Sequence, residues 1–197
     1  MNDRISKIRK IHSVVSILLF VVLICFCDYT CKELKLSQIS LSKFGIDENI
    51  GYIWNSSLFI LSILLYIDAI KNVNKFFHKN KYKKVLKTLF AFSNICLLLT
   101  AVINMNYNIH NITAFLYFLG YSISIYIFGH QTMKEDLRIG ALSVGVSLCS
   151  VFFPALIFYM HKTLAIPEII HCVFIFVWIL FMSFETETKN ILKKFGL

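Results

Sequence analysis

Proline and glycine are scarce in this chain, at two and seven of 197 residues. No proline-rich linker, low-complexity tract or internal repeat divides it, so residues 1–197 read as one domain. Carboxylates are few as well, with eleven acidic against twenty basic residues. None falls in the middle third of any long apolar run, where a proton- or ion-coupled pump places one. HExxH and comparable catalytic spacings are missing, which argues against a zincin-like protease. No small-x-small cleavage site follows the first apolar run, and Ile24 before Cys25 spoils a lipoprotein-type site. That run therefore reads as an anchor and not as a removable signal. The six cysteines do not form a disulfide framework: Cys96 and Cys149 fall in mid-run as small apolar residues, and a Cys31 to Cys172 bridge is not expected.

What is abundant is oil. Hydrophobic residues make up 57% of the chain and aromatic residues 15%, more than a soluble domain of this length buries. Six runs stand out, at 11–29, 50–70, 85–105, 112–129, 139–160 and 167–184. Each approaches the roughly 20 residues that a helix needs to cross about 30 Å of hydrocarbon. They are too long and too uniformly apolar for barrel strands. The expected fold is an all-α polytopic membrane protein, a bundle of six transmembrane helices.

Sixteen of the twenty basic residues precede run one, separate runs two and three, follow run four or close the chain. Only Lys32, Lys35, Lys43 and Lys162 lie on the other side. This asymmetry places the N- and C-termini in the cytoplasm of an inner-membrane protein. The net charge of +9 then serves anionic lipid, and no nucleic acid partner is expected. Phe76, Phe77 and Tyr82 among the lysines of "KNVNKFFHKNKYKK" read as an interfacial segment or as plain topology charge. The first outer loop, Thr30 to Asn49, reads as a short amphipathic helix or lid on the membrane surface. Trp54, Tyr29 and Tyr107 suit an outer aromatic belt.

Run five carries "IGALSVGVSLCS". Its ridge of Ala141, Gly145 and Cys149, beside Ser143 and Ser147, lets helix backbones approach closely and suggests a central helix. Pro154 should loosen the same helix.

The candidate site lies at the extracytoplasmic rim: His110, Asn111, His161, Glu168, His171 and Asp28, with Glu33 near by. Glu168 and His171, at i and i+3, face one way. Such a set could hold zinc for a lipid hydrolase, yet Pro167-Glu168 is also what a helix start prefers. No cofactor or metal is assigned. In "NMNYNIHNITAFLYF", Asn111 is the expected cap of the helix from Ile112. His12, His78 and His130 show no partner pattern. Asp68 is expected at the inner end of run two, with Lys71 one turn away. Asn55, Asn94 and Ser147 serve either interhelical packing or the polar path of a small uncoupled transporter or channel. The expected partners are membrane lipids or another membrane protein.

Several of these stretches resemble a known family. Leu41-Ser42-Lys43-Phe44-Gly45 is similar to the Leu-Ser-x-Leu-Gly stretch in the first outer loop of a six-span bacterial and archaeal membrane family, the domain of unknown function 998. That family is grouped with the DRAM autophagy modulators and the GPI-lipid remodelling membrane proteins. Asn55 in "WNSSLFILSILL" suits the start of its second span, and His110-Asn111-Ile112-Thr113-Ala114-Phe115 resembles its His-Asn-x-x-Ala-x stretch. Where relatives leave span three through Gly-x-Phe-Pro, this chain has Val102-Ile103-Asn104-Met105, so that turn is not carried over. The likeness runs chiefly from Ser40 to Gly129. It implies a lipid-related role with no particular enzymology.

Overall fold

A computed structural model describes residues 3–31, 40–77 and 81–194. The elements are α1 (Asp3–Thr30), a 3₁₀ segment (Leu41–Ile46), α2 (Gly51–Phe76), α3 (Tyr82–Val102), α4 (Asn108–Thr132), α5 (Leu137–His161), α6 (Ala165–Ser183) and α7 (Glu185–Lys194). The described residues contain no strand. Six of the helices are long and apolar enough to cross a membrane.

Each apolar run lies largely within a helix, but the helix ends follow local chemistry and not hydropathy. α2 continues past Ile70 to Phe76, because lysines on its last turns reach water without breaking the helix. α3 stops at Val102 and α4 starts at Asn108. Between them the Asn104 side chain accepts from the Asn106 amide (2.9 Å) and the Asn104 carbonyl from Tyr107 N (3.1 Å). The turn is thus made by Asn104, and Asn111 is exposed inside the first turn of α4 instead of capping it. α2 begins where Asp47 accepts from the Asn49 and Ile50 amides (2.9 and 3.2 Å). α5 is capped by Asp136, which accepts from Ile139 N at 3.2 Å.

The helices pack as a ring in chain order, closed by α1 against α6. α6 also touches α2 and α4, and half of its apolar span is buried, against 22% for α5. The central helix is therefore α6, not α5. Ser143, Ser147 and Ser150 of α5 do face inward, but Ala141 and Gly145 face outward, and nothing lies within 4 Å of a side chain added at Gly145. The tight approach is made by two other glycines. A Cβ at Gly129 would stand 2.8 Å from the Gly140 carbonyl oxygen, and one at Gly140 would stand 2.4 Å from Met133 N.

The core is aromatic. Trp178 stacks on Phe90 (centroids 5.7 Å apart), meets Phe128 edge-on (5.2 Å) and donates from Nε1 to Ser143 Oγ (3.1 Å). Phe76 and Phe77 also pack on Phe128 (5.3 and 5.4 Å), so Phe77 belongs to the bundle and not to an interfacial loop. Trp54 likewise leaves the expected aromatic belt: it is buried against Phe44 (5.3 Å), whereas Tyr29 and Tyr107 are exposed. The 3₁₀ segment thus plugs into the bundle through Leu41 and Phe44 and does not lie flat on the membrane surface. The rest of that outer loop, including Glu33, and residues 78–80 of the lysine-rich loop, including His78, lie outside the described residues. All six cysteines are free thiols.

The first turns of α1 and α7 meet at one pole of the bundle, where α7, unanticipated from hydropathy, is held by charge. Lys10 pairs with Glu187, Lys75 with Glu185, and Lys189 with both Asp136 (2.7 Å) and Glu185 (2.6 Å).

Candidate functional site

At the opposite pole, the start of α6 carries Glu168 and His171 on one face. The Leu41 amide opens the 3₁₀ segment, where a helical backbone has no acceptor of its own. Glu168 Oε2 accepts from it at 2.8 Å. One residue on, Ser42 Oγ lies 2.8 Å from His110 Nε2. The His110 Nδ1 lies 2.7 Å from the Ile103 carbonyl. A carbonyl only accepts, so Nδ1 carries the hydrogen. His110 therefore ties the α3–α4 turn to the 3₁₀ segment, and Glu168 ties that segment to α6.

His171 goes deeper than the rim. It is 5% exposed, with Nε2 3.3 Å from Ser122 Oγ, which is itself 2.8 Å from Ser150 Oγ. Phe118 meets the ring edge-on at 4.6 Å. Pro154 has no N–H to offer the carbonyl four residues earlier, which is that of Ser150. Pro154 sits inside α5 without ending it, and Pro154 and His171 line one cavity.

These side chains surround a cavity of about 360 Å³ bounded by α4, α5, α6 and the 3₁₀ segment. Asn111, Phe115, Phe158, Ser42, Glu168 and His171 are among its walls. A smaller chamber of about 50 Å³ shares Ser42, Phe118 and Glu168 with it and runs inward past Trp54, Tyr117 and Cys172. Glu168 stands where the two meet.

Of the expected rim residues, the structure brings Asn111, Glu168 and His171 to the cavity, with His110 one hydrogen bond behind Ser42. His161 is exposed at the far end of α5, and Asp28 is exposed near the end of α1; neither lines the cavity. Among the described residues no three His, Cys, Asp or Glu side chains are grouped to hold a metal ion. Asn55 donates to the Gly45 carbonyl (3.0 Å), Asn94 to Phe90 O (2.7 Å) and Ser147 to Ser122 O (2.7 Å). The Asn55 and Ser147 bonds thus each join two elements, whereas the Asn94 bond stays within α3.

A second polar cluster lies nearer the other pole. Asp68 does not end its helix: α2 continues to Phe76, and Asp68 is 1% exposed. His12 Nδ1 lies 2.8 Å from Asp68 Oδ1, and the Ser13 and Ser16 hydroxyls donate to the same carboxylate (3.2 and 3.3 Å). His12 therefore has a partner after all. The signal was there to find: His12, Ser13 and Ser16 share one face of a helix, opposite the one acid of run two.

Six apolar helices closed around an aromatic core, with a largely apolar cavity beneath one pole, define a multi-pass α-helical membrane protein. Residues 14–185 match the family described as Protein of unknown function (DUF998), and the chain belongs to it. Comparison with curated proteins and with solved structures finds no match.

Proposed function

We propose that the protein binds a membrane lipid in the cavity between α4, α5 and α6, with that pole facing away from the cytoplasm of a bacterial inner membrane. The observation that carries the reading is a largely apolar cavity of about 360 Å³ into which only a few polar side chains converge, the composition of a small-ligand site. The orientation is supported by the excess of lysines and arginines in the segments that join the opposite pole, beside α7 and the start of α1. Kinship with the DRAM and GPI-lipid remodelling proteins is part of the same reading. A zinc hydrolase built on His110, His161, Glu168 and His171 is the weaker account, since only Glu168 and His171 line the cavity.

Ala155 lines the cavity from the exposed side of α5. Ala155→Trp should fill the cavity while sparing the core. After mild detergent extraction, mass spectrometry should find lipid on the wild-type protein and much less on this variant. Equal retention at equal stability would refute the proposal.

A further inference from the structure

The polar groups of the cavity are unbalanced in charge. Among the described residues Glu168 and His171 are its only ionisable wall residues, and no lysine or arginine lines it. Among the described residues Glu168 meets no cation; its Oε2 takes one backbone amide, from Leu41. The basic side chains that form ion pairs (Lys10, Lys75 and Lys189) serve the opposite pole. A carboxylate set in an apolar wall is stable as an ion only with a positive partner. Beside it stand groups that accept hydrogen bonds: the Ser40 and Ser42 hydroxyls and the Asn111 carboxamide.

The geometry points to a membrane lipid whose head group carries a protonated amine, with Glu168 as its counter-charge. This rests on the lipid-binding reading above. An ammonium offers three donors and no acceptor, which suits one carboxylate flanked by hydroxyls. An anionic head group would meet Glu168 with no basic side chain among the described wall residues to offset it. The lipid itself, and not a free soluble amine, is the source, because most of the wall is apolar side chain from helices that span the membrane. The fatty chains lie along Phe115, Phe118 and Phe158 while the amine sits between Glu168 and Ser42.

The full chain is reconstituted in equimolar phosphatidylethanolamine and phosphatidylglycerol, extracted mildly, and its bound lipid is weighed by native mass spectrometry. Ethanolamine lipid should be enriched roughly tenfold over glycerol lipid, the factor equivalent to about 1.4 kcal/mol. Glu168→Gln, which keeps an acceptor for Leu41 N, should lose the preference and keep some lipid. Should that variant not fold, the wild-type protein is offered N-acetylated phosphatidylethanolamine, which has no positive charge, and should bind it no better than phosphatidylglycerol. Equal binding of the two lipids, enrichment of the glycerol lipid, or full binding of the acetylated lipid would each overturn the amine assignment while leaving lipid binding in place. Unchanged total lipid on Ala155→Trp would overturn lipid binding itself.

Discussion

Replacing His110 with alanine tests how the cavity is held open. The ring is 5% exposed and bridges the Ile103 carbonyl and the Ser42 hydroxyl at 2.7 and 2.8 Å. Its loss leaves a half-buried carbonyl without this donor, at about 1–3 kcal/mol. The Ser42 contact adds about 0.6 kcal/mol, the usual size of a side-chain hydrogen bond between membrane helices. The summed expectation is about 1.5–3.5 kcal/mol, towards the lower end where water reaches the rim. Reversible unfolding in mixed detergent micelles measures it for wild type, His110→Ala, Ser42→Ala and the double variant. The two residues touch, so the cycle should show a coupling of about 0.5–1 kcal/mol. Because Ser42 lines both chambers, His110→Ala should also retain less lipid. A loss below about 0.5 kcal/mol, the range of ordinary surface substitutions, with zero coupling would reduce His110 to a turn residue and refute the reasoning.

Two further outcomes follow from the other pole. Asp68→Ala removes the acceptor that His12, Ser13 and Ser16 share, while Ser13 keeps Ser183 and Ser16 keeps the His12 carbonyl; it should cost about 1–3 kcal/mol, whereas Asp68→Asn keeps an acceptor and should cost clearly less; equal melting-temperature losses would show that the carboxylate does not organise α1 against α2. Asp136 is partly buried, which pushes its pKa up, but the Lys189 ammonium and the Ile139 amide outweigh this and hold it below the ordinary carboxylate range. A carboxylate depressed in the folded state stabilises above its unfolded pKa of about 3.9 and loses that contribution as pH falls through its folded value. The protection of the α7 amides, relative to their intrinsic exchange rate at each pH, should therefore fall as pH drops below about 4, and Asp136→Asn should lower it already at neutral pH; unchanged protection of α7 would refute this charge-held docking.

The amino-acid sequence by itself determined that there are six helices long and apolar enough to span a membrane. That is a property of single segments: twenty apolar residues must become a helix in lipid whatever their neighbours are, since no other form satisfies their backbone. It also exposed Glu168 and His171 as one face of one helix. Their separation from His161 and Asp28, the descent of His171 to Ser122, the pairing of His12 with Asp68 and the burial of Trp54 under Phe44 were decided only by the tertiary structure. Each depends on how far one helix is rotated about its axis against another. In a chain apolar on every side, hydropathy carries almost no record of that rotation. The choice of α6 over α5 as the central helix has the same origin: small residues permit a close approach, but the bulk of Trp178 and its aromatic neighbours settled which faces fill the middle.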